Sequence, residues 1–282
     1  MKKIAVVDLI GGFGNQVAQI SLCKYLHDHN FRVFVNPNMI TKTNEEKYPR
    51  SLEIDLDSFG FKKMNGLLLI FFDILKIIFE INFLKKIMHS QYNYFFKVHK
   101  GQHFKSANIS FLNRFTGYWQ GDNHIYENIK YIEKALSKHA NYEVVSKDNV
   151  IKNKFVLHIR KGDYKDISEE LSMKYYINAI NFFKEKYNVS DYDIFSDEKE
   201  LVKNKVFNDA KNLFLNDGSE LSIETFSRLS KYKYIAIANS SFSYLSAMIS
   251  QDVEKIVTFP SPWFQNNDFV PKIIPKWKEI KY

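Results

Sequence analysis

From Phe155 onward, apolar runs at 155–160, 192–196, 213–215, 234–238 and 255–259 alternate with stretches of helical periodicity, and this alternation constrains the fold more than any other feature of the chain. Short apolar runs bounded by polar turns read as strands buried on both faces, which calls for a parallel sheet covered by helices. The helices are predicted at 172–187, 198–206, 220–231 and 242–250, each connection being long enough for a right-handed crossover. The same grammar opens the chain: a strand at 3–8, a tight loop from Gly11 to Gly14, a helix at 15–28 with Ala18, Leu22, Tyr25 and Leu26 on one face, and a strand from Phe31 to Val35. A chain of 282 residues accommodates two such α/β domains. The polar, lysine-bearing stretch 141–153 marks the expected boundary, giving domains 1–150 and 151–282, with 36–150 the less legible part.

Within that part, 66–88 is apolar except at Asp73, Lys76, Glu80, Asn82 and the pair Lys85-Lys86. Three charges at i, i+3 and i+7 share one helical face, so the segment reads as an amphipathic helical insertion and not as a membrane span. Two settings fit its broad apolar arc: burial between domain layers, or rest on a membrane surface with the lysines meeting anionic headgroups. The chain carries 45% hydrophobic residues and six prolines, so it has material for a packed core and no composition of disorder. The single cysteine, Cys23, rules out an internal disulfide and reads as core, which suits a reducing compartment. The first residues begin like a signal peptide, but Asp8 interrupts an apolar stretch already too short for one. A net charge of +8 favours anionic partners: nucleic acid, anionic lipid or a phosphorylated substrate.

Chemistry concentrates where strands end. Phe-Val-Leu-His-Ile-Arg-Lys-Gly-Asp-Tyr, 155–164, runs a buried strand into a basic, glycine-containing loop. A period of two points His158 and Arg160 to the same side. Arg160 has the planar donor fork for a diphosphate, Lys161 adds a point charge, Gly162 lets the backbone approach, and Asp163 is placed to accept from the arginine. The bland reading is a strand end capped by solvated charge. Asn239-Ser240-Ser241-Phe242-Ser243 has the same architecture, a strand entering a helix whose free N–H groups, with the Ser240 and Ser241 hydroxyls, suit a phosphate; ordinary N-capping is the alternative.

Gly11-Gly12-Phe13-Gly14-Asn15-Gln16 resembles half a dinucleotide fingerprint, but Val17 replaces its third glycine and Asn36 stands where an acid would hold ribose, so NAD is not expected. Either Asn15 faces a ligand or the loop is a structural turn. No P-loop, HExxH or CxxC pattern occurs, and Asp191-Tyr192-Asp193 precedes its strand, so no metal and no cofactor are expected. The basic charge lacks a stripe with interleaved aromatics, which argues against nucleic acid.

Together these segments resemble the bacterial alpha-1,2-fucosyltransferases. GGFGNQVAQIS looks like the family's GGLGNQMFQYA, HIRKGDY like HxRRxDY, IFSDE like FxSDD, IAIANSSFSYLSA like IIANSSFSWWGAWL, and GYWQGDNHIYENI carries its GYFQS segment. The resemblance implies a GT-B-like pair of facing Rossmann-type domains, and transfer of L-fucose from GDP-β-L-fucose, with inversion and without metal, to a galactose-containing oligosaccharide or lipid-linked glycan. It places the protein in the bacterial cytoplasm or peripherally at the inner membrane face. On this chain Arg160 would neutralise the departing diphosphate, His158 would flank the nucleotide, Ser240 and Ser241 would hold phosphate, and Gly14 and Asn15 would reach the donor from the other domain. The general base is open among Asp163, Asp197 and Asp122. Three positions depart from the pattern: Lys161 for arginine, Tyr244-Leu245 for a tryptophan pair, and Thr225 for a guanine-reading aspartate, with Glu224 adjacent as its substitute.

Overall fold

The computed structural model describes residues 2–42, 50–80, 95–104, 109–146, 148–198, 205–215, 221–249 and 254–282. The chain forms two compact units, Met1–Asn128 and Ile129–Tyr282.

The first unit contains β1 (Lys3–Asp8), α1 (Phe13–Asp28), β2 (Phe31–Asn36), α2 (Asn38–Lys42), α3 (Gly66–Glu80), β3 (Phe96–Gly101), β4 (Leu112–Gly117) and α4 (His124–Glu127). Its four strands are parallel in the order β2-β1-β4-β3. Ala5, Val6 and Val7 are all fully buried, as a strand covered on both faces requires. Helix α1 starts at Phe13, so Gly14 lies in its first turn and not in the loop, and the helix buries nearly its whole circumference, with Cys23 in the core.

A buried charge network crosses this sheet. Asp8, at the end of β1, accepts from Arg114 Nε at 3.0 Å and Nη2 at 3.2 Å, from Asn36 Nδ2 at 2.6 Å and from Thr116 Oγ1 at 2.5 Å. Arg114 Nη1 reaches out to Asp73 on α3 at 2.5 Å. Burial alone would weaken the arginine's hold on its proton, but Asp8 and then Asp73 outweigh it and the pKa is raised.

Helix α3 buries only one edge of its broad apolar arc. Leu69 and Phe72 pack with Val6, Phe96 and Leu112, but charged Asp73 also turns inward, and Leu67, Ile70, Phe71, Ile74 and Ile77 are exposed. Arg114 holds the carboxylate of Asp73 at the inner edge and an apolar flank of the helix is exposed. The expected continuation through 81–88 lies outside the described residues. No helix among the described residues is long and apolar enough to cross a membrane.

The second unit contains α5 (Ile129–Leu136), β5 (Ile151–Ile159), α6 (Gly162–Asp166), α7 (Met173–Tyr187), β6 (Tyr192–Ser196), a 3₁₀ turn (Lys205–Phe207), β7 (Ala210–Leu215), α8 (Ser222–Ser230), β8 (Tyr232–Ala236), α9 (Ser241–Met248), β9 (Ile256–Ser261) and β10 (Lys278–Lys281). It begins earlier than the 141–153 stretch because that stretch is tied into it: Asn141 donates to Glu224, and Glu143 pairs with Lys231. Most of the predicted helix at 198–206 lies outside the described residues.

All six strands are parallel, in the order β10-β9-β8-β5-β6-β7. The chain lays β5, β6 and β7 to one side and then returns to lay β8, β9 and β10 to the other, so the order reverses between β5 and β8. Open parallel sheets bind ligands in the crevice beyond that point. Asp193, set aside above as a metal ligand, is fully buried in β6 and links the sheet sideways, accepting from Tyr232 Oη at 2.5 Å and Asn212 Nδ2 at 2.8 Å and pairing with Lys154 at 2.5 Å.

Candidate functional site

The carboxyl ends of β5 and β8 carry the two motifs singled out in the sequence. His158, the next-to-last residue of β5, stacks on Phe242 of α9 at 5.8 Å between centroids, and Phe242 meets the edge-on ring of Phe226 from α8. Burial, with a smaller contribution from the Arg160 charge, pushes the His158 pKa down to about 3. The imidazole is therefore neutral, and its buried Nδ1 has no hydrogen-bond partner.

Arg160 lies just past the strand. Its Nη2 donates to Asp163 Oδ1 at 2.6 Å, its Nη1 is 2.6 Å from Asp197 Oδ2, and its guanidinium stands 5.6 Å from the centre of the Tyr164 ring. Burial opposes its charge, yet Asp197 and then Asp163 more than compensate, and its pKa is raised. Asp197, just beyond β6, also accepts the Lys161 backbone N–H at 2.8 Å, so one carboxylate fixes both the loop and its arginine. Lys161 Nζ pairs with Glu170 at 3.2 Å.

On the β8 side, Ser240 caps α9, its Oγ accepting from Phe242 N at 3.4 Å, and Ser241 opens the helix. Asn239 joins the two motifs: its carbonyl accepts from Tyr164 Oη at 2.9 Å, while its Nδ2 donates to the Glu169 carbonyl at 2.8 Å. Its Oδ1 is buried and has no hydrogen-bond partner. Thus His158 Nδ1 and Asn239 Oδ1, an acceptor or donor and an acceptor, are left unsatisfied on either side of the reversal point. Buried polar atoms in native proteins nearly always have a partner, and these two lie at the strand ends beyond which open parallel sheets take their ligands.

Glu169 was not anticipated. It is 4% exposed and accepts the backbone N–H groups of Gln265 at 2.6 Å and Asn266 at 3.0 Å, clamping the segment after β9 beside the Arg160 loop. Its partners lie nearly a hundred residues away, so no local pattern announces it. The Tyr244 departure is also accounted for: the ring meets Trp263 and Trp277 edge-on, and its Oη donates to the Lys272 carbonyl at 2.6 Å. Thr225 is buried in α8, and the adjacent Glu224 accepts from Asn141.

Gly14, Asn15 and Asp122 belong to the first unit, near the corresponding reversal between β1 and β4. Gly11 has φ +74°, and a Cβ there would collide with the Asn15 amide, so the glycine is needed for this turn. Asn15 Oδ1 accepts from Gln120 Nε2 at 2.8 Å. Two glutamines account for much of the rest of the N-terminal motif. Gln16 bridges the Gly11 and Ser51 carbonyls, and Gln19 bonds both backbone groups of Ile10 and the Gly117 carbonyl. Asp122 accepts from the Phe104 N–H and lies 3.2 Å from His103 Nδ1. Among the described residues, no group of three or more His, Cys, Asp or Glu side chains is placed to hold a metal ion.

Parallel sheet order, reversal point and a strand-end arginine beside a serine-capped helix define an α/β protein of the doubly wound class with a candidate diphosphate site. The family model of glycosyl transferase family 11 matches residues 11–279, and the chain belongs to that family. An alpha-1,2-colitosyltransferase of Escherichia coli is 30% identical over 182 residues, 59% of this chain and 62% of that protein. The O-antigen biosynthesis glycosyltransferase WbnK of Escherichia coli is 30% identical over 129 residues, 43% of this chain and 42% of that one. These matches span less than two thirds of the curated relatives' length. Among solved structures, a mutant of Arabidopsis thaliana FUT1 in complex with GDP is similar with a TM-score of 0.52 and 10% identity, over 94% of this chain and 72% of that one, a likeness of fold alone.

Proposed function

We propose that the protein transfers L-fucose from GDP-β-L-fucose to the 2-hydroxyl of a β-galactoside during surface-glycan synthesis, inverting the sugar's configuration without a metal ion. The observation that carries this reading is the pair of unsatisfied buried atoms, His158 Nδ1 and Asn239 Oδ1, on the two strand ends that also carry Arg160 and lead into α9. Family membership and the printed names of the two bacterial relatives support glycosyl transfer, an alpha-1,2 linkage and an O-antigen setting.

In such a reaction negative charge grows on the departing diphosphate. A guanidinium already held in place by Asp163 and Asp197, with the N–H groups opening α9, stabilises that charge without reorganising, and so favours the transition state over the bound donor. Asp163, Asp197 and Asp122 are the proposed bases, in that order. Asp163 and Asp197 each direct one oxygen at Arg160.

Arg160→Ala, with folding verified, is expected to lower turnover by about 10² or more. Turnover near normal removes Arg160 from the reaction. Transfer is expected to persist in EDTA; loss restored by Mg²⁺ or Mn²⁺ refutes the metal-free reading. The colitosyltransferase relative favours one second reading, a donor carrying colitose in place of fucose. Product analysis with both activated sugars, alongside calorimetry with GDP, UDP and CMP, separates them. Glycan binding with no transfer from any donor overturns enzymatic function altogether.

A further inference from the structure

The outward flank of α3 plays no part in the proposed reaction. Leu67, Ile70, Phe71, Ile74 and Ile77 are 79%, 56%, 43%, 50% and 60% exposed, and Leu68 is 47% exposed. At about 100° per residue they lie on one continuous half of the helix surface, with no charged or hydrogen-bonding side chain among them. Asp73 lies on the other side, where it meets buried Arg114. Single exposed apolar residues are ordinary, whereas a contiguous set of this size marks a contact surface.

We propose that this face docks on an anionic lipid bilayer, with α3 lying in the plane of the headgroups. Charge selects this occupant. The chain carries +8, and exposed Lys62 and Lys63 lie in the segment leading into the helix, so an anionic surface is attracted and a second copy repelled. The patch also lacks the polar groups that give protein interfaces about one hydrogen bond per 100–200 Å². The described part of α3, fifteen residues, rises about 22 Å, short of the roughly 30 Å hydrocarbon core, so it lies on the bilayer and does not cross it.

The test is cosedimentation of the full chain with vesicles of phosphatidylcholine alone or mixed with phosphatidylglycerol. Binding is expected to require phosphatidylglycerol and to fall with added salt. Ile70→Gln with Ile74→Gln, and separately Lys62→Glu with Lys63→Glu, should each weaken it about tenfold or more while leaving the unfolding transition in place. Two outcomes overturn the proposal: no vesicle binding, or binding unchanged by either pair. Sedimentation in solution without lipid adds a third. Self-association that the glutamine pair abolishes, in a chain that ignores vesicles, assigns the face to a second copy instead.

Discussion

Arg160 lies 2.6 Å from Asp163 Oδ1 and 2.6 Å from Asp197 Oδ2, so its replacement should do more than delete a cation. Arg160→Met withdraws attraction for the diphosphate and also unmasks two carboxylates beside it. A carboxylate about 5 Å from a phosphate charge, at an effective dielectric near 20, opposes binding by about 3 kcal/mol. Asp163 is 35% exposed and therefore more screened, whereas Asp197 is 12% exposed and contributes most of the repulsion. Adding Asp197→Asn to Arg160→Met should therefore restore donor affinity about tenfold or more. The amide oxygen left by Asp197→Asn still accepts the Lys161 N–H, which preserves the loop. Calorimetry with GDP on the wild type, the two single variants and the double variant completes the cycle. If the double variant binds GDP no better than Arg160→Met, the carboxylates do not face the ligand and the diphosphate is held elsewhere.

The network in the first unit gives a graded expectation for stability. Arg114→Met leaves Asp8 buried without its counter-ion and should destabilise the unit by about 3–5 kcal/mol in urea titration, whereas Asp73→Asn, at a carboxylate 42% exposed, should cost about 1 kcal/mol or less. Equal losses would refute the assignment of Asp8 as the dependent charge. Buried His124 has its pKa pushed down to about 4, chiefly by burial. The unfolded chain takes up this proton first, so stability falls as pH drops from about 6.5 to about 4, by about 1.4 kcal/mol per pH unit from this residue. His124→Phe should flatten that slope by the same amount, and a slope unchanged by the substitution would exclude His124 as its source.

Five strands of the second unit are legible because they are short apolar runs between periodic helices, β6 with its true bounds and β5, β7, β8 and β9 to within a few residues, whereas β10, Lys-Glu-Ile-Lys with one buried side chain, carries no apolar run to announce it. Strands β3 and β4 are not legible because Phe96–Gly101 alternates in basic residues and Leu112–Gly117 holds Asn113 and Arg114, polar groups whose burial depends on partners as far away as Ile4 and Asp8, although Asn113 also bonds nearby Ser110. The Arg160–Asp163 contact lies within one short motif, three residues apart across the turn into α6. Asp197 and Glu169 act across 36 and 96 residues and depend on the sheet having formed. The Asp73–Arg114 pair is hidden for the same reason: the helical wheel shows where Asp73 lies but not that an arginine waits beneath it.

That waiting has a counterpart in time. Asp8 is made 106 residues before Arg114, and at about 5–20 residues per second the nascent chain carries the aspartate for about 5–20 s before its arginine is synthesised. A buried carboxylate without a counter-ion is strongly disfavoured, and β1 has its other neighbour only in β4. Lasting burial of Asp8 in β1 is therefore expected only after Arg114 has been synthesised. Asp8 has Asn36 within reach before then, but its charge has no partner until Arg114 is made.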